Sequence, residues 1–176
     1  MTRRFAAWAL LGSAALLIAG CAKPPDSRME FSMGERVPVG QMTYVIVEST
    51  WRNQLGESFQ VRSPEQRFLL LKISATNGTG KEVSIPLLTL EGNNGQTYRE
   101  LADGKKVDNW FGLLRTLSPG ETQQGNILFD VPLTSYKLRL PDVSDPGLER
   151  YVSVQIPLRL DSDLPIQSPI APDSLK

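Results

Sequence analysis

Apolar residues recur at every second position through most of this 176-residue chain, and that period is typical of β-strands rather than of helices. In the segment 42–50 the alternation places Met42, Tyr44, Ile46 and then Glu48 on one face. The run from Phe68 to Ile73 is apolar at nearly every position, which predicts a strand buried on much of both faces. No segment keeps amphipathic helical spacing over three turns. The sequence therefore predicts an all-β, antiparallel two-sheet sandwich of seven to nine short strands.

Residues typical of turns separate these apolar segments. Pro119 and Gly120 suit the two central positions of a type II turn, because proline presets a negative φ and glycine accepts a positive one. Asn94 and Gly95 likewise suit a hairpin turn between two short strands. Both corners are expected to be parts of the scaffold.

The amino terminus has the composition of an export signal. Arg3 and Arg4 precede an uncharged stretch, 5–20, which ends in small residues directly before Cys21. The stretch is about 16 residues long, shorter than the roughly 20 that a permanent membrane-spanning helix needs. We therefore predict that residues 1–20 are a cleaved signal peptide.

The only cysteine of the chain, Cys21, follows Ile18, Ala19 and Gly20, and this tetrad resembles the lipobox of bacterial lipoproteins. The resemblance implies cleavage before Cys21, a lipid of the palmitate type on its sulfur and attachment to the membrane of the cell envelope. The alternatives are an ordinary signal peptide with an accidental cysteine, or a buried structural thiol. Ala22 stands where lipoproteins retained at the inner membrane tend to carry aspartate, so the periplasmic side of the outer membrane is favoured for a double-membraned source.

Composition divides the rest of the chain into a tether, 21–35, a sandwich domain, 36–160, and a proline-containing tail, 161–176. Removing residues 1–20 leaves 17 basic and 19 acidic residues, a net charge of about −2, so no affinity for nucleic acid is expected. A single cysteine provides no disulfide, and the domain must be held together by apolar burial.

Several segments of the domain resemble a known family, the secreted immunoglobulin-like domain of unknown function that is common in bacterial lipoproteins. That family includes proteins related to the mycobacterial immunoprotective extracellular antigens. The resemblance covers roughly residues 35–140, and it implies an immunoglobulin-like sandwich and an envelope location without any catalytic residues. It rests on a strand ending at Asn77, a hairpin with Leu90, Glu91, Gly95 and Tyr98, a corner at Pro119, Gly120 and Glu121, Gly125, and a strand end at 129–132.

The residue inventory excludes several kinds of enzyme. The chain has no histidine, which removes imidazole-based triads and histidine-ligated zinc, and its cysteine is expected to carry lipid. The segment 75–82 resembles a phosphate-binding loop, but Ala75 replaces its first glycine and Glu82 its magnesium-binding hydroxyl residue. We expect no nucleotide, no cofactor and no metal.

One segment, 103–117, is more apolar than a loop between strands should be. It contains Trp110, Phe111 and Leu113 beside basic residues, and exposed apolar clusters ringed by charge often form partner surfaces. The alternative is that its aromatic rings fold back and close one end of the sandwich. Trp51, at the end of a predicted strand, admits the same two interpretations.

Two functions remain open on the sequence alone. The first is a noncatalytic envelope lipoprotein whose sandwich binds a protein partner or serves as an accessory of an envelope complex. The second is a glycan-directed envelope hydrolase, since glycoside hydrolysis needs only a pair of carboxylates.

Overall fold

The structure is a computed structural model that describes residues 29–57, 59–143 and 150–159. The predicted signal peptide, Cys21 and the proline-containing tail 161–176 lie outside the described residues, as does most of the predicted tether.

Eleven strands are present in the described part of the chain. Sheet I has the strand order β1-β11-β10-β6-β7, sheet II has the order β2-β3-β4-β9, and β5 and β8 form a small two-stranded ladder. In chain order the strands are β1 (Glu30–Ser32), β2 (Val37–Val39), β3 (Met42–Arg52), β4 (Phe68–Asn77), β5 (Val83–Ser84), β6 (Thr89–Gly92), β7 (Thr97–Arg99), β8 (Thr116–Leu117), β9 (Thr122–Asp130), β10 (Tyr136–Pro141) and β11 (Tyr151–Ile156).

The predicted all-β two-sheet sandwich is confirmed, with two differences in detail. The strands outnumber the predicted seven to nine, because β5 and β8 have only two residues each and are too short for a sequence pattern. Strand β1 lies within the segment predicted as a tether, and it pairs with β11 in parallel, with Phe31 opposite Val154. Since Phe31 is also buried, the domain begins before residue 36.

The main core fills the space between sheets I and II. Alternate residues of β4 point into it, and Leu69, Leu71 and Ile73 are fully buried. Each such side chain stabilises the fold by roughly 1.5–3 kcal/mol relative to exposure. From sheet I the core receives Leu90, Leu138, Leu140, Val154 and Ile156.

A second, smaller apolar cluster covers part of the outer face of sheet II. It contains Leu55, Phe68, Val107 and Leu128, of which Leu55 comes from the loop after β3 and Val107 from the loop after β7. Phe68 of β4 is therefore buried on the face opposite to Leu69, so the predicted burial of both faces holds at this end of the strand, whereas Leu70 and Lys72 on the same outer face are only partly buried.

A β-bulge interrupts β3 and reverses the facing of its second half. The pairing with β4 shifts between Ile46 and Glu48, so Val47 is the extra residue. Ile46 is fully buried in the main core, whereas Ser49 rather than Glu48 is the next buried residue. The expectation that Glu48 shares the face of Ile46 is wrong, because the bulge changes the alternation by one position.

The predicted corner at Pro119–Gly120 is present. The Glu121 amide donates to the Ser118 carbonyl (3.0 Å) and Gly120 has a φ of 75°, as a type II turn requires. The corner is bonded to the end of β4, because the Gly120 amide donates to the Asn77 carbonyl at 2.8 Å. Two segments on which the family resemblance rests thus meet in space and support each other.

Candidate functional site

A polar groove lies on the outer face of sheet II, on strands β3, β4 and β9. Glu48 pairs with Lys72, and Lys72 pairs with Asn126, so these three side chains form one row across the strands. Thr50 and Leu70 form the next row. The bulge at Val47 builds this floor, since without it Glu48 and Thr50 would point into the core.

The first wall of the groove is the loop that follows β3. Leu55 and Arg62 pair through two backbone hydrogen bonds of 2.9 and 2.8 Å, which close a short hairpin after β3. Gly56 and Glu57 of this hairpin line the groove. Arg62 extends the hairpin to the second wall by donating to the Asp103 carbonyl at 2.8 Å.

The second wall belongs to the segment between β7 and β8, residues 100–115, called the β7–β8 loop. Its Phe111 amide donates to the Asn126 carbonyl (2.9 Å), and the Asn126 amide donates to the Asn109 carbonyl (2.8 Å). Lys106 (φ 65°) and Asn109 (φ 47°) both adopt the left-handed conformation, which costs a lysine on the order of 1–2 kcal/mol. Both residues line the groove, so the surrounding contacts hold strained backbone at this site.

The groove has a volume of about 580 Å³, within the range of roughly 300–1,000 Å³ that is typical of small-ligand sites. Its lining includes three acidic and three basic side chains, so its formal charge is balanced. Several of these groups, among them Lys72 and Asp108, make no side-chain hydrogen bond or ion pair with the rest of the described chain. The charged lining residues are Glu48, Arg52, Glu57, Lys72, Lys106 and Asp108.

The structure separates the residues that were predicted to contact a partner. Phe111 is 1% exposed and belongs to the main core, so it closes the sandwich as the alternative interpretation held and offers no surface to a partner. Trp110 is half-buried over the second cluster, and its ring lies against Gly104. Leu113 is 49% exposed and the adjacent Leu114 is 92% exposed, so only the tip of the segment remains a surface.

Trp51 also packs inward, against the main core. Its ring centroid lies 6.4 Å from that of Tyr136, which in turn meets Tyr98 edge-on at 5.7 Å. The Tyr136 hydroxyl donates to the Pro132 carbonyl at 2.6 Å. Burial, together with the nearby Tyr98, raises the pKa of Tyr136 to about 12. These contacts make Trp51 part of a structural aromatic cluster.

Sequence reasoning missed a buried ion pair that organises the β7–β8 loop. The side chains of Glu100 and Arg115 are both 0% exposed and form a two-bond pair, in which Arg115 Nη1 donates to Glu100 Oε2 at 2.9 Å. The guanidinium also lies 5.1 Å from the centre of the Phe111 ring. Local sequence has no signal for this pair, since the two charges look like ordinary surface residues 15 positions apart.

The comparison with protein families is decisive for classification. A model described as a domain of unknown function, DUF4352, matches residues 31–147, which is most of the chain. The chain belongs to the DUF4352 family. The match begins at β1 and contains every residue on which the sequence resemblance rested. No curated protein matches the chain.

Solved structures show the same fold as this DUF4352 domain. The yjhA protein from Bacillus subtilis superposes with a TM-score of 0.56 at 14% identity, over 72% of this chain and 98% of that one. A proposed lipoprotein, ycdA, from the same species superposes with a TM-score of 0.52 at 15% identity, over 77% of this chain and 40% of that one. The secreted MPT63 protein from Mycobacterium tuberculosis is more distant, with a TM-score of 0.49 at 17% identity over 75% and 98%. At these identities the first two superpositions, with yjhA and ycdA, establish the fold alone.

Two features are absent from the described residues of the DUF4352 domain. No group of three or more His, Cys, Asp or Glu side chains is placed to hold a metal ion within the described ranges. The same residues contain no helix of the length and apolar character that a membrane crossing requires.

Proposed function

We propose that this protein is a noncatalytic, lipid-anchored domain of the bacterial envelope that binds a ligand or partner in the groove on sheet II. The observation that carries the proposal is the bulge at Val47, which turns Glu48 and Thr50 away from the core and into a concave polar site. Bulges of this kind re-aim side chains next to functional sites. The lipobox-like tetrad ending at Cys21 supports the envelope location.

A protein partner remains part of the proposal, at a surface smaller than the sequence indicates. Phe111 and Trp51 are committed to packing, whereas Leu113 and Leu114 are exposed. The groove is larger and has more groups free to bond than this two-residue tip. We therefore assign binding to the groove first and treat the tip as an accessory contact.

Photo-crosslinking in intact cells tests the assignment. A photo-reactive amino acid replaces Thr50 in the groove, Leu114 at the tip, or Leu133, a 39% exposed leucine that does not line the groove. We expect a discrete adduct from position 50 that positions 114 and 133 do not form. Adducts from position 114 alone would refute the groove as the binding site and move it to the tip.

The hydrolase alternative also has an observation in its favour, because Glu48, Glu57 and Asp108 bring three carboxylates to one groove. Incubating the purified full-length protein with bacterial envelope glycans and measuring new reducing ends separates the two functions. The noncatalytic proposal predicts no release above that of an E48Q/E57Q/D108N variant. Release that depends on one of these carboxylates would establish the hydrolase.

The predicted membrane anchor has an independent test. Cys21→Ser should abolish incorporation of labelled palmitate and release the protein from the membrane fraction, since Cys21 is the only thiol of the chain. Unchanged labelling would contradict the anchor while leaving the groove proposal intact.

A further inference from the structure

We propose that the ligand of the groove is a neutral, hydroxyl-rich saccharide chain. This inference rests on the proposed function, because it names the class of molecule that the same groove binds. It follows from the charge balance of the lining, from the donors and acceptors left without partners, and from one exposed aromatic ring on the hairpin that forms the first wall.

The balance of charge disfavours strongly charged ligands. Three basic and three acidic side chains line one groove, so a polyanion would meet three carboxylates and a polycation would meet three cationic groups. An uncharged ligand avoids both penalties. It must still satisfy the groups that it covers, since polar groups buried without hydrogen bonds are costly.

The lining groups that have no partner include both hydrogen-bond donors and acceptors. Lys72, Arg52 and Gln54 offer N–H donors, and Glu57 and Asp108 offer carboxylate acceptors. None of these five side chains has a hydrogen bond or ion pair with the described part of the chain. A sugar hydroxyl donates and accepts at the same atom, so a row of hydroxyls can satisfy a lining in which donors and acceptors are interspersed.

Phe59 adds an exposed aromatic ring to the hairpin that forms the first wall. It lies between Leu55 and Arg62, whose backbone pairing closes this hairpin, and its side chain is fully exposed. Lys106 of the opposite wall donates to the Gln60 side chain, which joins this hairpin to the β7–β8 loop. An exposed ring on a wall of the polar groove suits a sugar, whose C–H face packs on aromatic surface while its hydroxyls reach the polar lining.

An extended peptide fits the groove less well. Peptides that add to a sheet pair with its free edge, whereas the side chains that form the floor of this groove stand on the face of β3, β4 and β9. Peptides held by side-chain pockets need apolar depth, and among the described residues the apolar side chains of the lining are Leu55 and Leu70.

Titration calorimetry of the full-length protein in detergent tests the inference. The probes are neutral oligosaccharides of four to six rings that cover hexose and N-acetylhexosamine chains, with heparin as a polyanion and polylysine as a polycation. We expect at least one neutral chain to bind and both charged polymers to bind more weakly. Phe59→Ala should weaken binding about tenfold without changing stability, because its side chain is already exposed.

Two further variants separate loss of binding from loss of folding. Lys72→Met keeps the length of the side chain and removes a donor from the floor, and Leu133→Ala is the matched exposed change outside the groove. We expect weaker binding from the first and no change from the second. Binding by no neutral chain, or binding that Phe59→Ala and Lys72→Met leave unchanged, overturns the inference. Adducts from position 50 that contain only protein would also overturn it, while leaving the groove as the functional site.

Discussion

Removing either member of the Glu100–Arg115 pair should destabilise the domain more than any other change to a single polar side chain. Replacing Glu100 with alanine leaves a guanidinium that is 0% exposed without its counter-ion. Such a loss typically costs about 3–5 kcal/mol. The lower end applies here, because Arg115 would keep its bonds to the Gly112 and Pro86 carbonyls and its place over Phe111.

Urea unfolding measures the effect. If the free energy of unfolding falls by about 3 kcal/mol and depends on urea with a slope near 2 kcal/mol per molar, the urea concentration at the unfolding midpoint should fall by about 1.5 M. Arg115→Met should cost a similar amount, because only the Leu88 amide, at 3.0 Å, would then bond the Glu100 carboxylate. The double variant Glu100→Leu/Arg115→Met should recover most of the loss, since it leaves no buried charge unpaired. Single variants that each lose less than about 1 kcal/mol would refute the argument that this pair is desolvated and mutually dependent.

Three further predictions concern packing and pH. Gly125→Ala should lower the free energy of unfolding by about 1–3 kcal/mol and detach the β7–β8 loop, because its Cβ would lie 2.7 Å from a backbone atom of that loop. Gly80→Ala, with open space around it, should leave the same urea titration unchanged. Tyr136→Phe should lower the free energy of unfolding by about 1 kcal/mol, because the hydrogen bond of the hydroxyl is lost. It should also flatten the loss of stability between pH 10 and 12, because the raised pKa of Tyr136 stabilises the fold below pH 10 and that contribution disappears as pH rises through about 12. An unchanged alkaline stability profile would contradict this prediction. The hydrogen bond from Lys137 to Glu30, 2.9 Å long, lowers the pKa of Glu30 in the folded protein. The small contribution of this pair to the docking of β1 is therefore present above pH 4.5 and lost as pH falls through the folded pKa. NMR signals of β1 should show this pH-dependent loosening, and Glu30→Gln should remove the pH dependence.

The sequence predicts the parts of the fold that local chemistry decides. Alternation in β4 is visible because its inward residues are apolar without exception from Leu69 to Ala75. The Pro119–Gly120 corner is visible because few residue pairs accept the two φ values of a type II turn. Family membership follows from the same residues, since they recur as strand ends and corners of one scaffold.

The groove was not predicted, and particular residues show why. Its floor depends on a shift of pairing between β3 and β4. The residue type at Val47 does not indicate this shift, so the sequence pattern predicted that the apolar alternation of β3 continues through Glu48. Its second wall depends on Asn109 and Phe111 bonding to Asn126. The glycine at 125 was a usable signal, because it leaves room for the Phe111 backbone, but its meaning requires knowledge of that contact.

By itself the sequence determined that this chain forms strands, where several of them end, and that residues around Cys21 resemble an export and lipidation signal. These properties depend on residues within a few positions of one another, and backbone conformation and apolar period express them locally. Only the tertiary structure decided which charges are buried, which aromatic rings close the core and which polar residues share a groove. Those outcomes depend on contacts between strands and loops distant in the chain, and a one-residue shift of register exchanges the two faces of a strand.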